Sequence, residues 1–230
     1  VFTSSEVLTD ETRRRIEGAW GKILFNEYAA TETGGLAAEC EHHHGMHLFE
    51  DLVIFEVVDE HNQPVPPGVY GDKLLITSLF NRTQPLIRYQ ISDSVRLADT
   101  LYPADRPFRL VDGIRGRMED VLYLPTATGG SVAIHPNLFH QVMDTIPVSG
   151  WQVIQETDSL TVLLSGLREA AGASSIVNKL GQALSKQGVM LPQINVQQVS
   201  AIPKSASGKA PLIKSNLPRI PTEILHEAPA

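Results

Sequence analysis

Cysteine is nearly missing from this 230-residue chain, Cys40 standing alone, so an internal disulfide is impossible and a reducing, cytoplasmic setting is the default expectation. Apolar runs extend over only a few residues, far short of a bilayer span, and the opening VFTSSEVLTD lacks the basic and apolar regions of a signal peptide. A membrane is therefore not an expected partner. The net charge of −7 and pI near 5.6, with no basic stripe interleaved with aromatics, argue against nucleic acid. Internal repeats and low-complexity segments are lacking as well. An initiator methionine is also absent, since the chain begins at Val1, and the expectation is a piece of something longer.

What is present is an ordinary globular composition, 42% hydrophobic and 20% charged with 17 Gly and 15 Pro, which bounds the chain to one or two domains. Thr9 or Asp10 can cap a helix through TRRRIEGAW, with Ile16, Ala19 and Trp20 on one face and Gly21 closing it. KILFNEY reads as a short buried strand, and LFEDLVIFEVVD, KLLITSL, PLIRYQI and SVRLA as closely spaced strands of a small barrel or curled sheet. Beyond Gly113 to Gly116 the pattern changes. There a turn, TATGG, precedes a helix opened by Pro136, a hairpin WQVIQETDSLTVLLS, a helix from about Ser174 to Gln187 ended by Gly188, and a strand INVQQVS. The fold class expected is α/β followed by a compact α+β domain. The proline-punctuated tail from Lys214 is expected to be poorly ordered at its end.

Four motifs carry candidate chemistry. YAATETGG, Tyr28 to Gly35, sets an aromatic, a hydroxyl and a carboxylate beside a glycine pair at the end of a strand; Tyr28 can face a base, Thr31 a phosphate oxygen, and Glu32 a magnesium ion. A plain strand end and turn explains it too. PLIRYQISDSVRL delivers Arg88 and then Asp93, a carboxylate able to accept both hydroxyls of a ribose or simply to cap a turn. Gly116, Arg117, Met118, Glu119 and Asp120 mark the switch of pattern, as a functional segment or as a solvated linker. PKSASGKAP presents Lys209 from a glycine-containing loop, a point charge suited to phosphate or carboxylate, or a solvated lysine.

Together and in this order, the motifs resemble the adenylate-forming enzyme superfamily, and within it the phenylacetate-CoA ligase group. YAATETGGLAAEC resembles that group's YGxTE segment with its following Glu-Cys, GMHLFED its Gly-Leu-His segment, PLIRYQISD its PLIRYxTGD segment, and RGRMEDV its GRxDD hinge. TSSEVLTDETRRRIE also resembles the segment before the nucleotide strand, and the likeness runs from about residue 3 to about 214. The resemblance implies the C-terminal portion of a large AMP-binding domain over 1–116 (a sheet edge with a small barrel-like subdomain), a C-terminal lid domain over 117–213, and a tail over 214–230. It also implies an AMP-forming acid-thiol ligase using ATP, magnesium and coenzyme A. Its substrate would be a small carboxylate, an aryl acid such as phenylacetate among the candidates. Tyr28 would contact adenine, Thr31 the phosphates, and Glu32 magnesium; Asp93 and Arg117 would hold the ribose, Lys209 would approach the reacting carboxylate and α-phosphate, and Glu119 would serve as the hinge.

Departures from the group's pattern are equally legible. Glu119 replaces the usual hinge Asp, and Ser92 replaces glycine before the ribose aspartate, a strain if that position needs a positive φ. No phosphate loop rich in Ser, Thr and Gly with a lysine is found, so the chain resembles the C-terminal half alone. Gly129 and Gly130 suit either an approach to a pantetheine arm or an ordinary hairpin. CEHHHGMH offers Cys40 and His47, with His42, His43 and His44, as zinc ligands, but the later Cys-x-Cys-Gly-Arg is replaced by ADRPFRLVDG, which weighs against zinc. Two alternatives to the ligase reading stand: a non-catalytic nucleotide- or partner-binding module, and an adenylating enzyme that passes the acyl group to an amine or a carrier-protein thiol.

Overall fold

Thr9 opens the first helix, α1 (Asp10–Trp20), by accepting a hydrogen bond from the Thr12 backbone N–H at 3.3 Å, and Gly21 ends it at φ 82°. The computed structural model describes residues 1–99, 107–167, 172–204 and 211–218. The expected apolar face of α1 is not buried: no residue of the helix is fully covered, and Trp20 is 69% exposed. A polar tether holds the helix instead. Arg13 donates from Nη2 to Glu39 and from Nη1 to the Leu24 carbonyl at 3.4 Å.

The chain divides into two compact units, Val1–Glu119 and Asp120–Ala230. The first contains strands β1 (Phe2–Thr3), β2 (Phe25–Ala30), β3 (Gly34–Glu39), β4 (Met46–Leu48) and β5 (Val53–Val58). It continues with β6 (Lys73–Ser78), β7 (Tyr89–Ile91), β8 (Asp93–Leu97) and β9 (Leu110–Arg117). A six-stranded sheet runs β1-β2-β3-β4-β9-β8, and a three-stranded sheet runs β5-β6-β7. Only the two-residue β1 pairs in parallel in the larger sheet; β2 to β3, β3 to β4, β4 to β9 and β9 to β8 are antiparallel. KILFNEY, expected as a short buried strand, has Leu24 alone fully buried, and β2 is half-covered.

The two sheets share one apolar core. Leu36 and Leu48 from the larger sheet meet Val53, Phe55, Leu74 and Ile76 from the smaller. Each such side chain contributes about 1.5–3 kcal/mol on leaving water. Arg109 ties the sheets at their margin, donating from Nε to Glu50 Oε1 at 2.7 Å and from Nη2 to the Phe55 carbonyl at 3.1 Å.

A short 3-10 turn, Met118–Asp120, spans the boundary, and the second unit opens with the hairpin β10 (Leu122–Pro125) and β11 (Ser131–Ile134). Its connection places Gly129 and Gly130 at φ 87° and 85°, which L side chains rarely adopt. There follow α2 (Pro136–Met143), β12 (Gly150–Gln155), β13 (Ser159–Ser165), α3 (Ala173–Ser185), β14 (Gln193–Val199) and β15 (Ile213–Ser215). The sheet order β14-β13-β12-β15 puts the hairpin at the centre, with β14 and β15 parallel to their neighbours. Phe139, Met143, Val153, Leu160, Ile176 and Leu180 form the core beneath α2 and α3. Lys214 and Ser215, expected to open the loose tail, belong to β15, where Ile213 is anchored in that core. The chain is thus a mixed α/β protein with several sheets, and among the described residues no helix is long and apolar enough to cross a membrane.

Candidate functional site

YAATETGG is a hairpin: Tyr28 lies within β2, Thr31 to Thr33 form the turn, and the glycine pair begins β3. The glycines are therefore not a flexible loop. Gly34 supplies φ 73°, and a Cβ on Gly35 would lie 2.9 Å from the Phe49 ring and 3.0 Å from Glu27 Oε1. The turn leaves Thr31 and Glu32 exposed, while Thr33 Oγ1 is buried without a hydrogen-bond partner.

Asp93, expected just beyond a strand, is the first residue of β8 and sits opposite Arg117 of β9. Across the unit Tyr28 reaches it, the hydroxyl donating to Asp93 Oδ2 at 2.6 Å. Arg117 Nε stands 4.0 Å from Asp93 Oδ1, and Arg117 Nη1 stands 3.8 Å from Glu119 Oε1. The guanidinium is 61% exposed, so these ion pairs add only about 0–1 kcal/mol each. Burial pushes the Tyr28 phenol far above its ordinary value, the Asp93 charge and hydrogen bond push it further, and Arg117 opposes them. Tyr28 is consequently a fixed donor at neutral pH, and the remaining lone pairs of Asp93 stay available to hydroxyl donors.

Four of the expected residues, Tyr28, Asp93, Arg117 and Glu119, thus form one chain of contacts. Thr31 and Glu32 lie on the hairpin tip that Tyr28 begins. A further participant was not singled out by the motifs: the Tyr89 hydroxyl donates to Glu32 Oε1 at 2.8 Å. Its signal was its place in PLIRYQISD, directly after Arg88. Ser92 does not take a positive φ, so the strain conditional on it does not arise; Arg88 does, at φ 49°. Lys209 lies outside the described residues.

Hard oxygen donors suit magnesium, and Glu32 with the adjacent Thr31 hydroxyl provides that donor type on an exposed turn. Zinc finds a poorer fit. Cys40 and His47 are both buried, both ring nitrogens of His47 lack partners, His43 engages Glu39 at 3.2 Å, and among the described residues no group of three or more ligands could hold a metal ion.

No protein-family model matches the chain. A phenylacetate-coenzyme A ligase of Thermus thermophilus is 29% identical over 156 residues, covering 65% of this chain and 34% of that protein. The phenylacetate-coenzyme A ligase of Escherichia coli is 34% identical over 124 residues, covering 52% of this chain and 28% of that protein. Among solved structures, a 2-hydroxyisobutyryl-CoA ligase in the postadenylation state, in complex with R3-HIB-AMP, aligns with a TM-score of 0.65 at 23% identity over 90% of this chain and 45% of that one. By these likenesses the chain resembles part of the adenylate-forming ligases, with phenylacetate-CoA ligases as distant relatives. It spans about a third of the length of the curated ligases it matches.

Proposed function

We propose that this chain is the C-terminal part of an AMP-forming carboxylate-CoA ligase, and that Tyr28, Asp93 and Arg117 hold the nucleoside of ATP and of the acyl-adenylate. The observation that carries the reading is the contact between Tyr28 and Asp93, 65 residues apart, in a chain whose relatives are CoA ligases. The Tyr28 ring borders the adenine. Asp93, already held by Tyr28, accepts the ribose hydroxyls, with Arg117 at its other oxygen. Thr31 donates to the phosphates. Glu32 would hold magnesium, which when bound would neutralise charge on the phosphates.

In the first half-reaction a carboxylate oxygen attacks the α-phosphorus of ATP and the bond to pyrophosphate breaks. In the second a thiol sulfur, that of coenzyme A, attacks the acyl carbonyl and AMP leaves. Lys209 stabilises charge on the α-phosphate, and residues 117–213 act as a lid pivoting at Glu119 between the half-reactions. An aryl acid such as phenylacetate fits the names of the sequence relatives, and a reducing cytoplasm suits the free Cys40. Carboxylate-dependent pyrophosphate exchange by the complete protein tests the assignment: Lys209→Ala is expected to lower it by about 10²–10³-fold, the effect of removing a transition-state charge partner. Undiminished exchange would remove Lys209 from the mechanism.

A further inference from the structure

Tyr89 points its hydroxyl at the turn that carries Glu32. It begins β7, directly after Arg88, whose φ of 49° is a conformation that costs a non-glycine residue about 1–2 kcal/mol. Two bonds hold that conformation. The Arg88 backbone N–H donates to Thr77 Oγ1 at 3.0 Å, and its Nε donates to Glu56 Oε2 at 3.1 Å. Strain maintained by side-chain bonds beside a candidate site marks a residue whose direction matters. Here the residue so directed is Tyr89, and its target is Glu32 Oε1, 2.8 Å away and 57 residues earlier in sequence.

We propose that Tyr89 is a positioning residue for magnesium: by donating to Oε1 it fixes the Glu32 carboxylate on an otherwise exposed turn and leaves Oε2 as the metal-binding oxygen. The inference rests on the assignment of Glu32 to the metal. A long acidic side chain on a turn samples many rotamers, and a single donor from a neighbouring sheet removes most of them before the cation arrives. Donors of this kind behind a metal-binding carboxylate tune affinity without touching the ion.

Manganese, which takes the same oxygen ligands, is the probe. Binding of Mn²⁺ to the chain in the presence of AMP, followed by the paramagnetic signal of the free ion, is expected to weaken about tenfold in Tyr89→Phe. In Glu32→Gln it is expected to be lost. The melting transition of Tyr89→Phe is expected to match that of the parent, so that the weakening reports metal binding and not loss of fold. Unchanged Mn²⁺ affinity in Tyr89→Phe, with loss in Glu32→Gln, would overturn the role of Tyr89 and leave Glu32 as the ligand. Unchanged affinity in both variants would overturn both assignments.

Discussion

Glu39 shows most plainly how single side chains hold the first unit together. Burial alone would raise its carboxyl, but the hydrogen bonds from Arg13, the Asn26 backbone N–H and His43 outweigh that and hold it below the ordinary 4.5. A carboxyl lowered in the folded state stabilises fully above its unfolded value and loses that contribution as pH falls through the folded one. Glu39→Gln is therefore expected to destabilise at pH 7 by about 1–3 kcal/mol, leaving Arg13 short of its acceptor. Urea denaturation should show the gap between variant and parent shrinking below pH 4.5. At this scale the sequence was partly legible. Tyr28 and Asp93 each stood in a recognisable motif, and the structure joins them. The Tyr89–Glu32 bond was not legible, because it depends on bringing β7 against a hairpin turn 57 residues away, which no local spacing encodes.

Among the elements, the capped helices were more legible than the strands. α1, α2 and α3 appear within a residue or two of the stretches marked by Thr9, Pro136 and Gly188. β1, β4 and β15 escaped notice because two or three residues cannot display a period-two pattern, and β3 and β9 because glycines interrupt theirs. The glycine pair of YAATETGG misled for a physical reason: glycine is permissive in turns, but Gly35 is needed within β3 because Phe49 and Glu27 crowd its α-carbon. Gly113 in β9 is a second such case. A Cβ there would fall 2.2 Å from the Tyr70 hydroxyl, and Tyr70 is stacked by Arg115 at 3.8 Å and Arg96 at 4.8 Å. Gly113→Ala is expected to displace the rigid ring and destabilise the protein by about 1–3 kcal/mol, read from the urea midpoint. Tyr70→Ala in the same background should recover part of that loss.

At the scale of the whole molecule, composition and turn chemistry announced a change of pattern after Gly116, and the units part at Glu119 and Asp120, beyond the end of β9. Each unit owns a separate apolar core, so a polypeptide beginning at Asp120 is expected to fold alone and unfold cooperatively, as followed by circular dichroism in urea. In the first unit, Tyr28, Asp93 and Arg117 are expected to receive an adenosine nucleotide. Calorimetric titration of the 230-residue chain with AMP tests it most directly. The expected result is measurable binding that weakens about tenfold or more in Asp93→Ala, where charge-assisted bonds to the ribose are lost while the melting transition persists. Equal affinity in parent and variant, or no heat from a fully folded parent, would contradict it.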